Sequence, residues 1–184
     1  AGGNLSISLP SGGGGGNLAT SVSGGNLVIS DGTNTTNIPL TSITGTIAIT
    51  GSTGDDTIDL GNLGTLTNPL VVNGGAGTDS IAFNGEVTAP SITVIAETIT
   101  VGVSGDLTST TGPLTLSATD GVTMNGTVDS GTNALVINAD TDGNGTGTLV
   151  LGAGSSVLGD TIDLIAADFS IDPTATIGTK PDVT

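Results

Sequence analysis

"GSTGDDTID" (residues 51–59) and "GGAGTDSIA" (residues 74–82) each set an aspartate and then an isoleucine after a glycine-punctuated turn. Asp56 aligns with Asp79 and Ile58 with Ile81, an offset of 79 − 56 = 23. A repeat of this length, made of short strands and turns, marks a solenoid. One coil cannot bury its own apolar face, so coils stack and share a continuous core.

The rest of the chain follows the same pattern. Short alternating strands end at Gly, Asn or Asp: "NLSISL" (4–9), "NLVIS" (26–30), "TIAIT" (46–50), "PLVVN" (69–73), "SITVI" (91–95) and "TITVG" (98–102). They continue with "PLTLS" (113–117), "GVTMN" (121–125), "ALVIN" (134–138), "TLVLG" (148–152) and "DFSID" (168–172). "DTIDL" occurs twice, at 56–60 and 160–164. Unbranched helix formers are scarce, and Gly or a β-branched residue interrupts every helical period.

Two all-β architectures suit such strands: a right-handed parallel β-solenoid (β-helix) and an antiparallel β-sandwich. A sandwich fills a layer about 10 Å thick with large side chains from two sheets. Aromatics are only 1% of this chain, Phe83 and Phe169. Val, Ile, Leu, Ala and Thr instead fill a narrow coil by stacking like on like, which favours the solenoid. Residues 1–40, with the glycine run "PSGGGGGN" (10–17), read as a Gly-rich strand segment, a cap or docking strand. Residues 41–178 read as the solenoid and 179–184 as a C-terminal linker.

The net charge is −16, and Lys180 is the only base. Phosphate binding needs Lys and Arg, so nucleic acid is excluded as a partner. No run of about 18 apolar residues exists, so no membrane insertion by a helix is expected. Such an acidic surface either keeps an edge-rich β protein soluble or attracts hard cations, calcium first. There is no cysteine, so disulfides contribute nothing.

Two stretches are candidate calcium ligands. Residues 74–82 fit G-G-x-G-x-D-x-U-x at every specified position, with Gly74, Gly75, Gly77, Asp79 and Ile81. They resemble the nonapeptide of the repeats-in-toxin family, a calcium-binding β-roll. That resemblance implies ligands at Asp79 and, in the earlier copy, at Asp55 and Asp56. The alternative is plain solenoid corners, because the two copies are separated by residues 60–73. "DTDGNGTG" (140–147) is the second stretch. Asp140, Asp142 and Asn144, then the Thr146 carbonyl, resemble the first half of an EF-hand loop. Leu151 stands where the twelfth-position acid belongs, and the alternative is a polar turn.

No His, Cys, Tyr or Trp is available as a base or sugar platform, and no convergent carboxylate pair is evident, so no enzyme activity is expected. Thr rows such as "TIAIT" resemble the ice-binding faces of β-helical antifreeze proteins, or simply reflect β-propensity. Sequons begin at Asn4, Asn34, Asn125 and Asn144.

The segment from about 86 to 180, with "PLTLSATDGVTMNGTVDSGTNALVINADTDGNGTGTLVLGAG" at its centre, resembles filamentous-haemagglutinin-like exoproteins and giant bacterial surface adhesins. The resemblance implies a non-enzymatic extracellular or cell-surface structural protein: part of an adhesin, a surface layer or a self-assembling filament. Self-association by end-to-end docking is the expected partnership. The competing expectation is a module that binds a glycan or a host-cell receptor protein; an ice-binding β-helix is the third.

Overall fold

The computed structural model describes residues 3–10 and 14–179. The Lys180 base and most of the expected linker, residues 180–184, lie outside the described residues, as do residues 11–13 of the glycine run. The chain is a parallel β-solenoid of about six turns.

Three columns of strands run up the coil. The first stacks Leu5–Ser8, Ile47–Thr50, Leu70–Asn73, the starts of Ile92–Val101 and Leu114–Met124, then Ala134–Asn138 and Thr161–Ile165, each parallel to the next. The second begins with Asn17–Ser23 and continues through Thr57–Leu60, Ser80–Phe83, the ends of the two long strands, Thr148–Leu151 and Asp168–Ile171. The third holds shorter pieces: Gly64–Thr65, Glu86–Ala89, Asp106–Ser109, Thr127–Asp129, Ser156–Leu158 and Thr176–Gly178.

Register follows from the side-chain period of two. A slip of one residue would turn every aliphatic outward. Ile58, Ile81, Ile99, Val122 and Leu149 therefore stack directly over one another in the second column. All five are buried. The inner face of the first column stacks Ile49, Val72, Val94, Leu116 and Ile137 in the same way. The outward file between the inward rows is mixed, Ala48, Val71, Thr93, Thr115 and Val136 in turn. Burying branched aliphatics in contact with their own kind removes about 1.5–3 kcal/mol worth of apolar surface from water per side chain.

The columns also separate sequences that look alike. The first "DTIDL" (56–60) lies in the second column, where Ile58 meets Ile81. The second (160–164) lies in the first column, where Ile162 meets Leu135. The strand code is the same; the corner before it differs, so Asp56 is buried and Asp160 is exposed.

The N-terminal end departs from the coil. Asn17–Ser23 turns through Gly24 and Gly25, both at positive φ, into the antiparallel strand Asn26–Ser30. This is the two-residue hairpin that glycine pairs favour. Asp31 accepts backbone N–H groups of Thr33 (2.8 Å) and Asn34 (2.6 Å), and so forms the next turn. Thr35–Pro39 then pairs on the outer edge of Asn26–Ser30. Leu27 is buried and the partly buried Ile29 and Ile38 pack on the core, so the hairpin lies over the first coil. Strands within residues 1–40 therefore serve two roles: Leu5–Ser8 and Asn17–Ser23 are rungs, and residues 26–39 lie beyond them.

Candidate functional site

The acids singled out from the sequence meet at the corner between the first and second columns. The position just before each second-column strand is Asp56, then Asp79, then Glu97, in successive coils. Asp56 and Asp79 are each 1% exposed. Their carboxylates turn inward to backbone N–H groups. The Asp56 N–H donates to Asp79 Oδ1 (2.8 Å), and the Asp79 N–H donates to Glu97 Oε2 (2.7 Å). Asp56 itself accepts the Gly16 N–H (2.5 Å), the Ser52 N–H and the Ser52 hydroxyl (3.1 Å). Each acid thus closes the corner of the coil before it. Asp55 is exposed and takes the Thr78 N–H of the next coil (2.8 Å), again across an offset of 23.

The glycines are there because the backbones crowd. A Cβ on Gly74 would stand 2.6 Å from Asp79 Oδ2, and one on Gly51 would stand 2.6 Å from Asp56 Oδ2. Gly75 and Gly77 also take φ of 111° and 136°. The Ala76 N–H donates to the Ser52 carbonyl on the coil below (3.1 Å). At the corner that leads into the first column, buried Asn68 plays the matching part and donates its amide to the Gly45 carbonyl (2.7 Å).

These contacts set the two aspartates apart. Burial pushes the Asp56 carboxyl up, but the donors from Gly16 and Ser52 outweigh it and hold the group below its ordinary value. Asp79 is pushed up, first by burial and then by the charges of Glu97 and Asp56 against one N–H donor. Its Oδ2 is buried without a hydrogen-bond partner.

The linkage has opposite signs at the two sites. The Asp56 contribution is present above its unfolded pKa and is lost as the pH falls through the depressed folded value. The Asp79 contribution is present at acid pH and is lost as the pH rises through the elevated folded value. Asp56→Asn is therefore expected to cost most at about pH 7, on the order of 2–3 kcal/mol for lost charge-assisted bonds, and progressively less towards about pH 3. Asp79→Asn keeps the Oδ1 acceptor and should gain on the wild type as the pH rises. Thermal melts across that range check both; shifts of the same sign in the two variants would contradict the assignment.

A calcium ion needs several converging oxygens. The Asp56 carboxylate faces N–H and O–H donors instead, so the first turn does not fit one. Among the described residues no group of three or more His, Cys, Asp or Glu side chains is placed to hold a metal. In the loop 140–147 the oxygens also serve the loop. Asp142 accepts the Asn144 amide (2.7 Å), Asn144 Oδ1 accepts the Thr146 N–H (2.9 Å), and Asp140 Oδ2 accepts the Gly145 N–H (3.3 Å). Only Asp140 Oδ1 is left buried and without a partner in this loop. Excess chelator is accordingly expected to move the melting temperature by less than about 1 °C, whereas a calcium-dependent rise of several degrees would place an ion here.

Glu97 and Ser52 are the site members that sequence reading missed. Glu97 follows Asp79 by 18 residues rather than 23. The usable signal is positional: an acid immediately before the second-column strand, as in "ETIT" (97–100). A shallow groove between Leu5–Ser8 and the hairpin is lined by Ile7, Leu9, Leu18, Ile29, Asp31 and Thr36. It holds a single carboxylate, too little for paired acid–base chemistry. On the outer face, Thr98, Thr100, Thr123 and Thr148 form a hydroxyl patch that Gly121 and Val150 interrupt. Comparison with protein-family models, with curated proteins and with solved structures finds no match to this chain.

Proposed function

We propose that the chain is a non-enzymatic structural segment of an extracellular, cell-surface protein, a rod element of an adhesin, surface layer or filament. The supporting observation is the continuous core: aliphatic ladders fill the coil from Leu9 to Val157, and the acids of the corner hold backbone rather than face a cleft. Backbone ladders that run along the axis resist both extension and local opening, which suits a load-bearing spacer. Apart from the buried corner acids, the sparse charge is acidic, and its exposed members such as Asp55 and Asp160 keep neighbouring rods apart.

Antibody raised against the purified chain tests this on intact cells of the source organism. Labelling of the surface or of attached filaments is expected before lysis. Labelling that appears only after lysis would contradict the proposal. The competing module reading, recognition of a glycan or a receptor protein by the hydroxyl-rich faces, has its own readout. Saturable binding of the chain on a glycan array, abolished by Thr100→Lys or Thr123→Lys on the outer face, would favour it.

A further inference from the structure

Asparagine followed by glycine occurs four times in the chain, at Asn73, Asn84, Asn125 and Asn144. In such a pair the glycine nitrogen can attack the asparagine side-chain carbonyl, because no Cβ obstructs it. The solenoid blocks three of the four. Gly74, Gly85 and Gly126 are buried. The Gly74 N–H is held in a ladder by the Ile95 carbonyl (2.8 Å). A Cβ on Gly85 would stand 2.6 Å from the Asn62 nitrogen of the neighbouring coil, and one on Gly126 would run into the Gly105 carbonyl. A nitrogen pressed between close-packed coils has no room to turn towards the side chain before it. Asn144 and Gly145 differ: both are exposed, and Gly145, at φ 83°, has open space where a Cβ would stand.

The loop also supplies the groups that the attack needs. The Gly145 N–H donates to Asp140 Oδ2 (3.3 Å), an acceptor for its proton. The other Asp140 oxygen has no hydrogen-bond partner. Asn144 Oδ1 accepts the Thr146 N–H (2.9 Å) and the Thr146 hydroxyl (2.5 Å). Both donors are aimed at the oxygen on which negative charge develops as a nitrogen adds to the carbonyl carbon. The Asn144 amide donates to Asp142 Oδ2 (2.7 Å), which holds the side chain in one orientation.

We infer that Asn144 is a self-modification site, at which the loop promotes loss of the side-chain amide as ammonia with water as the only co-reactant. A bond forms between the Gly145 nitrogen and Asn144 Cγ while the Gly145 proton passes to Asp140. The Cγ–Nδ2 bond then breaks and the proton is returned to the departing nitrogen, which leaves as ammonia. The cyclic succinimide that remains is opened by water at either carbonyl. One opening gives aspartate; the other gives isoaspartate, with the chain running through the side-chain carbon. No electrons are gained or lost. Open space at Gly143 and Gly145 accommodates the extra backbone atom. The product carboxylate alternates with Asp140 and Asp142, so the bond to Asp142 gives way to repulsion between like charges and the loop loosens.

Peptide mass mapping of the purified, unglycosylated chain, held for days at about pH 7.4 and about 37 °C, tests this; loss of the amide adds about 1 Da. Asn144 is expected to convert at least about tenfold faster than Asn73, Asn84 or Asn125, and several-fold faster than in a synthetic peptide of residues 140–147. Asp140→Ala and Thr146→Val should each slow it to about the rate of the peptide or below. The rates at Asn84 and Asn125 in each variant report that the coil is still folded, and unfolding in denaturant should bring all four sites together. A rate at Asn144 no greater than at the other three pairs would overturn the site. A rate equal to that of the peptide, or unchanged in both variants, would overturn the parts assigned to Asp140 and Thr146.

Discussion

Gly77→Val is expected to destabilise the chain by about 4 kcal/mol, a drop in melting temperature of about 10 °C. Two effects add. The residue sits at φ 136°, which a β-branched side chain resists. A Cβ there would also stand 2.7 Å from the carbonyl carbon and oxygen of Gly54 on the coil below. Neither atom can swing aside, because both belong to the backbone of the neighbouring turn. Gly143→Ala supplies the comparison. Its φ is 66°, but open space surrounds it, so only the conformational cost of about 1–2 kcal/mol applies. Equal losses at the two sites would mean that the coils are not in contact at this corner.

Phe83→Ala should rank with it, at about 3–5 kcal/mol. Phe83 is fully buried, between Leu60 below and Val101 above in the second column. Removing the ring leaves a void that a close-packed stack can fill only by moving whole rungs. The other phenylalanine gives an internal control. Phe169 ends the same column's parallel ladder and is half exposed, so Phe169→Ala should cost under about 1 kcal/mol in the isolated chain. Chemical denaturation of both variants measures the contrast. A loss at Phe169 as large as at Phe83 would show that the last rung is covered in solution.

Much of the coil could be read from the residues alone, and the reason is local. First- and second-column strands carry two inward aliphatics in alternation, as in "TIAIT" or "TLVLG", so a window of five residues suffices. The offset of 23 between Asp56 and Asp79 likewise survives as a cross-coil hydrogen bond. The third column was not legible. Glu86–Ala89, Asp106–Ser109 and Thr127–Asp129 are three or four residues long, and each commits one large aliphatic to the core: Val87, Leu107 and Val128. One apolar residue has no period. The hairpin at 24–39 was half visible, with its strand at 26–30 evident but not its antiparallel pairing.

The corner was legible in composition and not in orientation. Gly, Asp and Ile at fixed spacing suit both an ion loop and a turn that folds its carboxylate back on the chain. Which one forms depends on N–H groups from elsewhere, Gly16 some 40 residues before Asp56 and Ser52 just before it. No local pattern reports a donor that distant. Glu97 escaped for a related reason. The corner that holds it is four residues shorter than the one before, two residues from Ile95 to Glu97 against six from Asn73 to Asp79, so a fixed period passes over it.

The central claim is the in-register parallel stack, and an experimentally phased crystallographic or cryo-EM density map tests it most directly. The account predicts Ile58, Ile81, Ile99, Val122 and Leu149 in one straight file, with neighbours about 4.8 Å apart and their strands all running the same way. Density that places those five on strands of alternating direction, or in two facing layers about 10 Å apart, would contradict it.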